Sequence, residues 1–328
     1  MATVSPNRLT CNKAAVLALA GVGGLWLAIG LWKTSRFTYL HFLRSSSLDR
    51  YRSNSDVESW ALVTGASDGI GKGFAEELCH RGFNVVLHGR NEKKLHLVRN
   101  ELLEAYEGQQ VRILVVDAVQ DAGNLTRLKE AANELKDIKL KIMVNNVGGA
   151  ADVKPLLSPF QDSHEDANRI QLELNVRFQT ELTRLLLTQL IANQPACILN
   201  IGSASAELAC CYLSVAGGVK AYQKAWSRSL SLEMKAERND IDVLYYQLGM
   251  VSSGSSPRPT SLLVPSSRKM ASACLDKVGC GRDIAYGYWP HELQFGLISL
   301  LPTFVVERVL IGMVRGMITE EQAALKSQ

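Results

Sequence analysis

The sequence feature that most constrains the fold is a series of six short apolar runs, separated by segments of helical length. Each run is nearly continuous in Val, Ile and Leu rather than alternating with polar residues, as expected for strands that helices cover on both faces. Such alternation of strand and helix predicts an α/β domain with a doubly wound parallel sheet. The predicted strands are Trp60–Val63, Asn84–His88, Arg112–Val116, Lys141–Asn145, Ala196–Ile201 and Ile241–Gln247.

The N-terminal segment predicts a membrane anchor. Residues 14–32 run for 19 positions without a charged side chain, about 28 Å of helix at ~1.5 Å per residue, which matches the hydrocarbon thickness of a bilayer. A signal peptide and a buried helix are the alternatives. Because five Lys and Arg residues lie between this segment and residue 52, the positive-inside rule predicts a cytosolic location for the rest of the chain.

The remaining organisation follows from composition. We predict a membrane anchor over residues 1–33, a polar juxtamembrane linker over 34–58 and a folded domain over 59–290. Residues 291–328 form an apolar C-terminal extension. Its charged residues and Pro302 oppose a second membrane span, and they favour contact with a membrane surface or a lining role in an apolar substrate channel.

Charge and cysteine usage exclude several classes of function. The 36 basic residues are dispersed among 32 acidic ones, for a net charge of +4, so the basic stripe of a nucleic-acid-binding protein is missing. The seven cysteines are odd in number and contain no Cys-x-x-Cys spacing, which argues against a disulfide framework and against a metal site. A reducing compartment suits this composition.

A glycine-rich turn follows the first predicted strand and leads into an amphipathic helix. Residues 64–71 read Thr-Gly-Ala-Ser-Asp-Gly-Ile-Gly. Glycines there permit a tight turn, and they let backbone N–H groups at a helix N-terminus approach a pyrophosphate. The predicted dinucleotide-binding residues in this turn are Gly65, Ser67, Asp68, Gly69, Ile70 and Gly71.

The spacing of this turn resembles that of the short-chain dehydrogenase/reductase family, whose Rossmann-type fold agrees with the predicted sheet. The similarity covers roughly residues 60–252, where Asn145-Asn146-Val147-Gly148 resembles the family's Asn-Asn-Ala-Gly. The resemblance implies that Asn146, Asp117 and Val251 contact the cofactor. Asp68 and Asp117 as simple capping or turn residues are the alternative.

The residue at the end of the second strand indicates which cofactor is used. Arg90 stands where an acidic residue would bind the ribose 2′-hydroxyl of NAD. A cation instead suits the 2′-phosphate of NADP(H), so we predict NADP(H). An ordinary solvated strand-end arginine is the alternative.

The catalytic residues of the family are matched in part. In the family a Ser polarises the ketone and a Tyr supplies the proton. A Lys four residues after the Tyr lowers the pKa of that Tyr and holds the nicotinamide ribose. An Asn supports a water relay. The resemblance implies these roles for Ser203, Lys220 and Asn175. Family spacing puts the Tyr thirteen residues after the Ser, where this chain has Ala216.

Two other tyrosines lie near the missing one in sequence. Tyr222 would point about 120° away from the site if the segment is helical. Tyr212 lies four residues before Ala216, on the same helix face if the helix has already begun there. Tyr212 is therefore the only tyrosine that could replace the missing one. A water near Lys220 and the substrate itself are the other possible proton donors.

Features outside the site indicate a branch of the family. The anchor, the strand Ile198–Ser203 and the segment Gly287–His291 resemble very-long-chain 3-oxoacyl-CoA reductases and 17β-hydroxysteroid dehydrogenases, a branch that includes inactive hydroxysteroid dehydrogenase-like proteins. Active members are endoplasmic-reticulum proteins that reduce the ketone of a β-ketoacyl or steroid substrate with NADPH, and the family commonly forms dimers or tetramers. The resemblance implies the same activity, membrane and homo-oligomer here.

The missing tyrosine keeps other functions open. The first alternative is a catalytically inactive NADPH-binding pseudoenzyme or scaffold. A lyase or isomerase on the same fold, which needs no phenol donor, is the next. A membrane tether without any ligand is the weakest, because it leaves the glycine-rich turn unexplained.

Overall fold

The structure is a computed structural model that describes residues 13–52, 59–149, 157–254 and 256–326, with side chains up to residue 319. It divides into two units, and the boundary along the chain lies between Ser45 and Ser46.

The first unit is a long apolar helix. Helix α1 spans Lys13–Thr38 and continues as a π-helical turn over Tyr39–Leu43. Its apolar side chains are exposed, as Leu19 (72%) and Trp26 (71%) illustrate. Among the described residues, this is the one helix long and apolar enough to cross a membrane. The uncharged segment is therefore helical over the length that an anchor requires.

The second unit is built on a seven-stranded sheet in the order β3-β2-β1-β4-β5-β6-β7, with every pair parallel. This confirms the predicted doubly wound fold. The strand order reverses between β1 and β4, and in such sheets ligands bind at the carboxyl ends of the strands near this switch point. The strands are β1 Ser59–Thr64, β2 Asn84–Gly89, β3 Val111–Val115, β4 Lys139–Asn145, β5 Ala196–Ile201, β6 Ile241–Tyr246 and β7 Ile284–Ala285.

Helices cover both faces of the sheet, because each strand buries apolar side chains on either side. Two separate apolar cores result, one between the sheet and α2, α3 and α8, the other between the sheet and α4, α6 and α7. These and the remaining helices are α2 Gly69–His80, α3 Glu92–Ala105, α4 Leu125–Asn133, α5 Glu165–Leu172, α6 Phe178–Ala192, α7 Ser214–Ala236, α8 Ser267–Leu275, α9 Trp289–Ile298 and α10 Thr303–Lys326.

Two features of this unit differ from the sequence predictions. The seventh strand, β7, was not predicted, because two residues are too short for a periodic pattern. The predicted linker also includes ordered chain, since Leu48 and Tyr51 are buried and the Tyr51 hydroxyl donates to Asp242. The folded unit therefore begins at Ser46, whose hydroxyl donates to the Leu275 carbonyl at 2.8 Å.

The C-terminal extension forms two helices that are separated at Pro302. Helix α9 ends at Ile298, and α10 begins directly after the proline. The connection is strongly apolar and exposed, with Leu300 at 79% and Phe304 at 70%.

Candidate active site

The glycine-rich turn is locked to the end of β4. Gly65 has a φ of +65°, which favours glycine, and a Cβ on Gly71 would lie 2.1 Å from the Gly65 carbonyl oxygen. The Thr64 hydroxyl accepts the backbone N–H groups of Asn146 at 2.9 Å and of Val147 at 3.0 Å. The turn thus needs small residues, and two neighbouring strands hold it in place.

A crevice of about 160 Å³ opens beside this turn at the carboxyl ends of β1, β2 and β4. It brings together four of the predicted cofactor-binding residues: Gly65, Ser67, Arg90 and Asp117. The Asp117 carboxylate also accepts the backbone N–H of Val119 at 2.8 Å, so it stabilises its own turn while it lines the crevice. The capping role and the cofactor-contacting role are therefore compatible.

Other predicted cofactor residues lie around the crevice rather than in its wall. Asp68 caps α2 by accepting the Gly69 N–H at 2.6 Å, and both residues line a neighbouring cavity of about 670 Å³. The Asn146 side chain donates to the Thr64 carbonyl at 3.0 Å, so it braces the turn. Ile70 and Val251 direct their side chains into the apolar core, which leaves their backbone groups for any cofactor contact.

A buried histidine that sequence reasoning missed supports the same turn. His88, in β2, stacks on Phe178 with ring centroids 5.0 Å apart, and its Nδ1 lies 3.4 Å from the donating N–H of Gly65. Burial lowers the pKa of His88 to about 4, so the ring is neutral at physiological pH. Its position in a continuous apolar run is the sequence signal that could have indicated burial.

Asn175 and Lys220 meet beside Gly148. A Cβ on Gly148 would lie 2.8 Å from the Asn175 Oδ1 and 3.4 Å from the Lys220 Nζ, so only glycine permits this approach. Asn175 sits in a π-helical turn, Glu173–Arg177, an irregularity that occurs frequently at functional sites. The turn directs a buried amide side chain towards the end of β4.

Lys220 is held close to the end of β5. Its Nζ donates to the Ile201 carbonyl at 3.3 Å. Burial lowers the pKa of Lys220 to about 8, because the surroundings disfavour the charged form. At neutral pH the ammonium is therefore mostly charged but gives up its proton far more readily than an exposed lysine.

Ser203 follows β5, and its hydroxyl oxygen accepts two hydrogen bonds. Its Oγ accepts the Ser205 N–H at 3.2 Å and the Ser205 hydroxyl at 3.0 Å. A hydroxyl that accepts two hydrogen bonds keeps its own proton for donation and becomes a stronger donor. Sequence reasoning missed Ser205, although its position two residues after Ser203 makes it a local candidate.

A buried phenol connects the Ser203 and Lys220 segments from behind. The Tyr245 hydroxyl accepts the Ser203 N–H at 3.1 Å and donates to the Lys220 carbonyl at 3.2 Å. Burial raises the pKa of Tyr245 to about 12. The ring occupies the space over Gly202, where a Cβ would lie 1.9 Å from the ring. Tyr245 therefore braces the site and is not exposed to a substrate.

The helix that carries Lys220 begins too late for the predicted role of Tyr212. Helix α7 begins at Ser214, so Tyr212 lies before it, in a left-handed conformation with φ of +63°. The condition under which Tyr212 would share a helix face with Ala216 is therefore not met. Tyr222 does point elsewhere, since its hydroxyl lies 3.0 Å from that of Thr180.

The polar groups of Asn175 have protein partners. Its Nδ2 donates to the Gln171 carbonyl at 3.0 Å, and its Oδ1 lies 3.4 Å from the donating N–H of Gly149. Its backbone carbonyl accepts the side-chain amide of Gln223 at 3.1 Å, one helical turn after Lys220. Water can therefore bind Asn175 only through the lone pairs that these contacts leave.

Comparison with known proteins agrees with this geometry. Residues 59–259 match the family model described as short chain dehydrogenase. The chain is 32% identical over 288 residues to a very-long-chain 3-oxoacyl-CoA reductase of Pyricularia oryzae, covering 84% of this chain and 82% of that protein. It is also 32% identical over 259 residues to such a reductase of Caenorhabditis elegans, covering 79% and 80%.

Solved structures share the fold. A short chain dehydrogenase from Shigella flexneri, complexed with NADP, superposes with a TM-score of 0.61 at 20% identity. The match covers 71% of this chain and 95% of that one.

Proposed function

Because this chain belongs to the short-chain dehydrogenase family, we propose that it is an NADP(H)-dependent oxidoreductase that reduces the ketone of an apolar substrate. A 3-oxoacyl-CoA is the first candidate substrate, as in the names of its relatives, followed by a steroid or related lipid. One observation carries the proposal: Lys220 and Asn175 meet at Gly148, which lines the crevice, and the Lys220 Nζ reaches the end of β5, two residues before Ser203.

The residues of the crevice fit NADP(H). Gly65 and Gly71 let the turn pack tightly against itself and against Val147. The backbone N–H groups of this turn at the N-terminus of α2 can then bind a pyrophosphate. Arg90 supplies a cation for the 2′-phosphate, and Asp117 supplies an acceptor for the adenine. When bound, the cofactor would supply a hydride to the carbonyl carbon of the substrate.

The protein groups then act on the carbonyl oxygen and on the ribose. The Ser203 hydroxyl donates to the carbonyl oxygen and stabilises the negative charge that develops there. The Lys220 ammonium binds the nicotinamide ribose. The oxygen also needs a proton, and a water next to Lys220 is the best-supported source, because a lysine with a pKa of about 8 replaces that proton near neutral pH.

A second candidate function is an NADP(H)-binding pseudoenzyme, which two observations favour. Ala216 occupies the position of the family tyrosine, and a positioned general acid is typically worth about 10²–10⁴ in rate. The Gln223 side-chain amide also donates a hydrogen bond to the backbone carbonyl of Asn175. In the family this Asn supports a water relay, so the Gln223 amide competes with water for that carbonyl. Neither feature opposes cofactor binding.

Membrane attachment is part of the proposal. We place α1 across the endoplasmic-reticulum membrane and residues 46–328 in the cytosol, with the apolar connection between α9 and α10 against the membrane surface. Alkaline extraction of cell membranes should leave the chain in the pellet, while protease added outside intact microsomes should digest residues 46–328. Release by alkali, or full protection from protease, would refute this arrangement.

The decisive experiment on function uses the full chain purified in detergent. NADPH binding is measured by fluorescence, and single-turnover NADPH oxidation with a 3-oxoacyl-CoA is measured in wild type, Tyr212→Phe and Ala216→Tyr. We expect binding in all three, and slow turnover in wild type that Tyr212→Phe leaves unchanged.

The other outcomes separate the alternatives. Wild-type binding without turnover, with activity gained in Ala216→Tyr, would establish the pseudoenzyme. Turnover abolished by Tyr212→Phe would identify a relocated proton donor. Absence of NADPH binding would refute both functions.

A further inference from the structure

His291 connects three separate parts of the second unit. It lies in α9, fully buried, within the segment Gly287–His291 that follows β7. Its Nδ1 accepts the backbone N–H of Gly249 at 3.0 Å, just after β6. Its Nε2 lies 3.1 Å from the Leu263 carbonyl. One side chain therefore joins residues 42 and 28 positions away in sequence.

These contacts determine the protonation state of the ring. A backbone N–H can only donate, so Nδ1 must carry a lone pair. The ring proton then lies on Nε2, where it donates to the carbonyl of Leu263. Burial lowers the pKa of His291, in agreement with a neutral ring.

Packing leaves little freedom for the ring. A Cβ on Gly249 would lie 3.0 Å from two ring atoms of His291, closer than ordinary carbon contacts allow. The ring of Tyr288 packs edge-on against His291, with centroids 5.4 Å apart. The backbone at Gly249 is thus held by a hydrogen bond and by direct contact.

The segment that begins at Gly249 reaches the glycine-rich turn. Ser253 lies close to Gly69, since a Cβ on Gly69 would lie 3.2 Å from the Ser253 Cβ. Gly254 lies directly against the Asp68 carboxylate, which caps α2. Residues 249–254 therefore run from His291 to the N-terminus of α2, where a pyrophosphate would bind.

We propose that His291 is a positioning residue for the cofactor: it touches no cofactor atom, but it holds residues 249–254 against the cofactor turn. The inference rests on the proposed binding of NADP(H). It assigns a role to the Gly287–His291 segment, which lies outside the motifs for cofactor and catalysis. Loss of the two hydrogen bonds releases the segment and weakens cofactor binding.

The test compares NADPH affinity in full-length variants. His291→Leu removes both hydrogen bonds, and we expect the Kd to rise about tenfold, the effect of losing roughly one net buried hydrogen bond. His291→Asn keeps an acceptor near Nδ1 and should restore most of the affinity. His291→Gln keeps a donor near Nε2, so the Kd of this variant measures how much the Leu263 contact alone contributes to NADPH affinity.

A matched control separates positioning from general destabilisation. The Gln189 side chain also donates to two backbone carbonyls, those of Leu135 at 2.5 Å and Ile138 at 2.9 Å. These residues precede β4, at the amino ends of the strands, whereas the cofactor turn lies at the carboxyl ends. Gln189→Leu should lower the unfolding temperature and leave the Kd for NADPH at the wild-type value.

Hydrogen exchange tests the same inference without any cofactor. His291→Leu should speed exchange at the Gly249 amide and across residues 249–254, while Gln189→Leu should not. A wild-type Kd and unchanged exchange in His291→Leu would overturn the inference, and so would an equal rise in Kd for Gln189→Leu. If wild type itself fails to bind NADPH, the proposed function is refuted. Faster exchange in His291→Leu would then show that His291 anchors residues 249–254 without any role in cofactor binding, which overturns the inference.

Discussion

Replacing Gly202 by Ala tests how closely β5 and β6 pack behind the site. The added Cβ would lie 1.9, 2.1 and 2.2 Å from three atoms of the Tyr245 ring, where ordinary carbon contacts are about 3.5–4.0 Å. The ring must therefore move by roughly 1.5 Å. Tyr245 is fully buried, and its hydroxyl bonds to the Ser203 N–H and to the Lys220 carbonyl.

Two terms set the expected magnitude. Overpacking a core typically costs about 1–3 kcal/mol. Displacement of the phenol breaks two hydrogen bonds, each worth about 1 kcal/mol. Together they predict a loss of about 4 kcal/mol, or about 10 °C in Tm at ~2–4 °C per kcal/mol for a large domain.

The assay is thermal unfolding of the full chain in detergent, for Gly202→Ala, Tyr245→Ala and the double variant. Tyr245→Ala alone leaves a cavity that costs about 3–5 kcal/mol. Once the ring is gone the added methyl meets no clash, so the double variant should be no less stable than Tyr245→Ala. A Tm of Gly202→Ala within 2 °C of the wild-type Tm, a loss of about 0.5–1 kcal/mol, would refute the packing argument. A double variant whose loss of stability equals the sum of the two single losses would refute it as well.

Three further predictions concern titration and catalysis. The folded-state pKa of His88 is about 4, below the ordinary value of about 6.5, so the unfolded chain binds more protons between these pH values. As the pH falls from 6.5 to 4, the free energy of unfolding should therefore decrease by about 3 kcal/mol for this residue, which lowers the urea midpoint. A flat urea midpoint over this range would contradict a neutral buried ring. Acetylation of Lys220, followed by mass spectrometry, should titrate near pH 8, well below the ordinary lysine value of about 10.4. Ser205→Ala removes one donor to Ser203 and should lower kcat about tenfold at unchanged KM, and Ser205→Thr should restore it; a change in KM alone would point to substrate binding instead.

The local parts of the site could be predicted from the sequence, because they are carried by short patterns. The glycine-rich turn needs small residues at Gly65 and Gly71, and the structure shows the contacts that require them. The spacing from Ser203 to Lys220 runs from just after β5 to the second turn of α7, a stretch short enough for one sequence pattern to cover.

The tyrosine question shows where such reasoning stops. Whether Tyr212 could replace the residue at Ala216 depended on where α7 begins, and helix boundaries follow from capping and packing as much as from propensity. Its left-handed backbone conformation and the start of the helix at Ser214 were not readable from the sequence around it.

The sequence by itself determined the fold class, the six main strands, the apolar N-terminal helix and the position of the cofactor turn, since each depends on periodicity or spacing within about 30 residues. Only the tertiary structure decided which groups brace the site. Tyr245 behind Ser203, Gln223 on Asn175 and His291 on Gly249 join residues 42 to 48 positions apart. Such pairs have no local pattern, because they form only when separate strands and helices pack side by side.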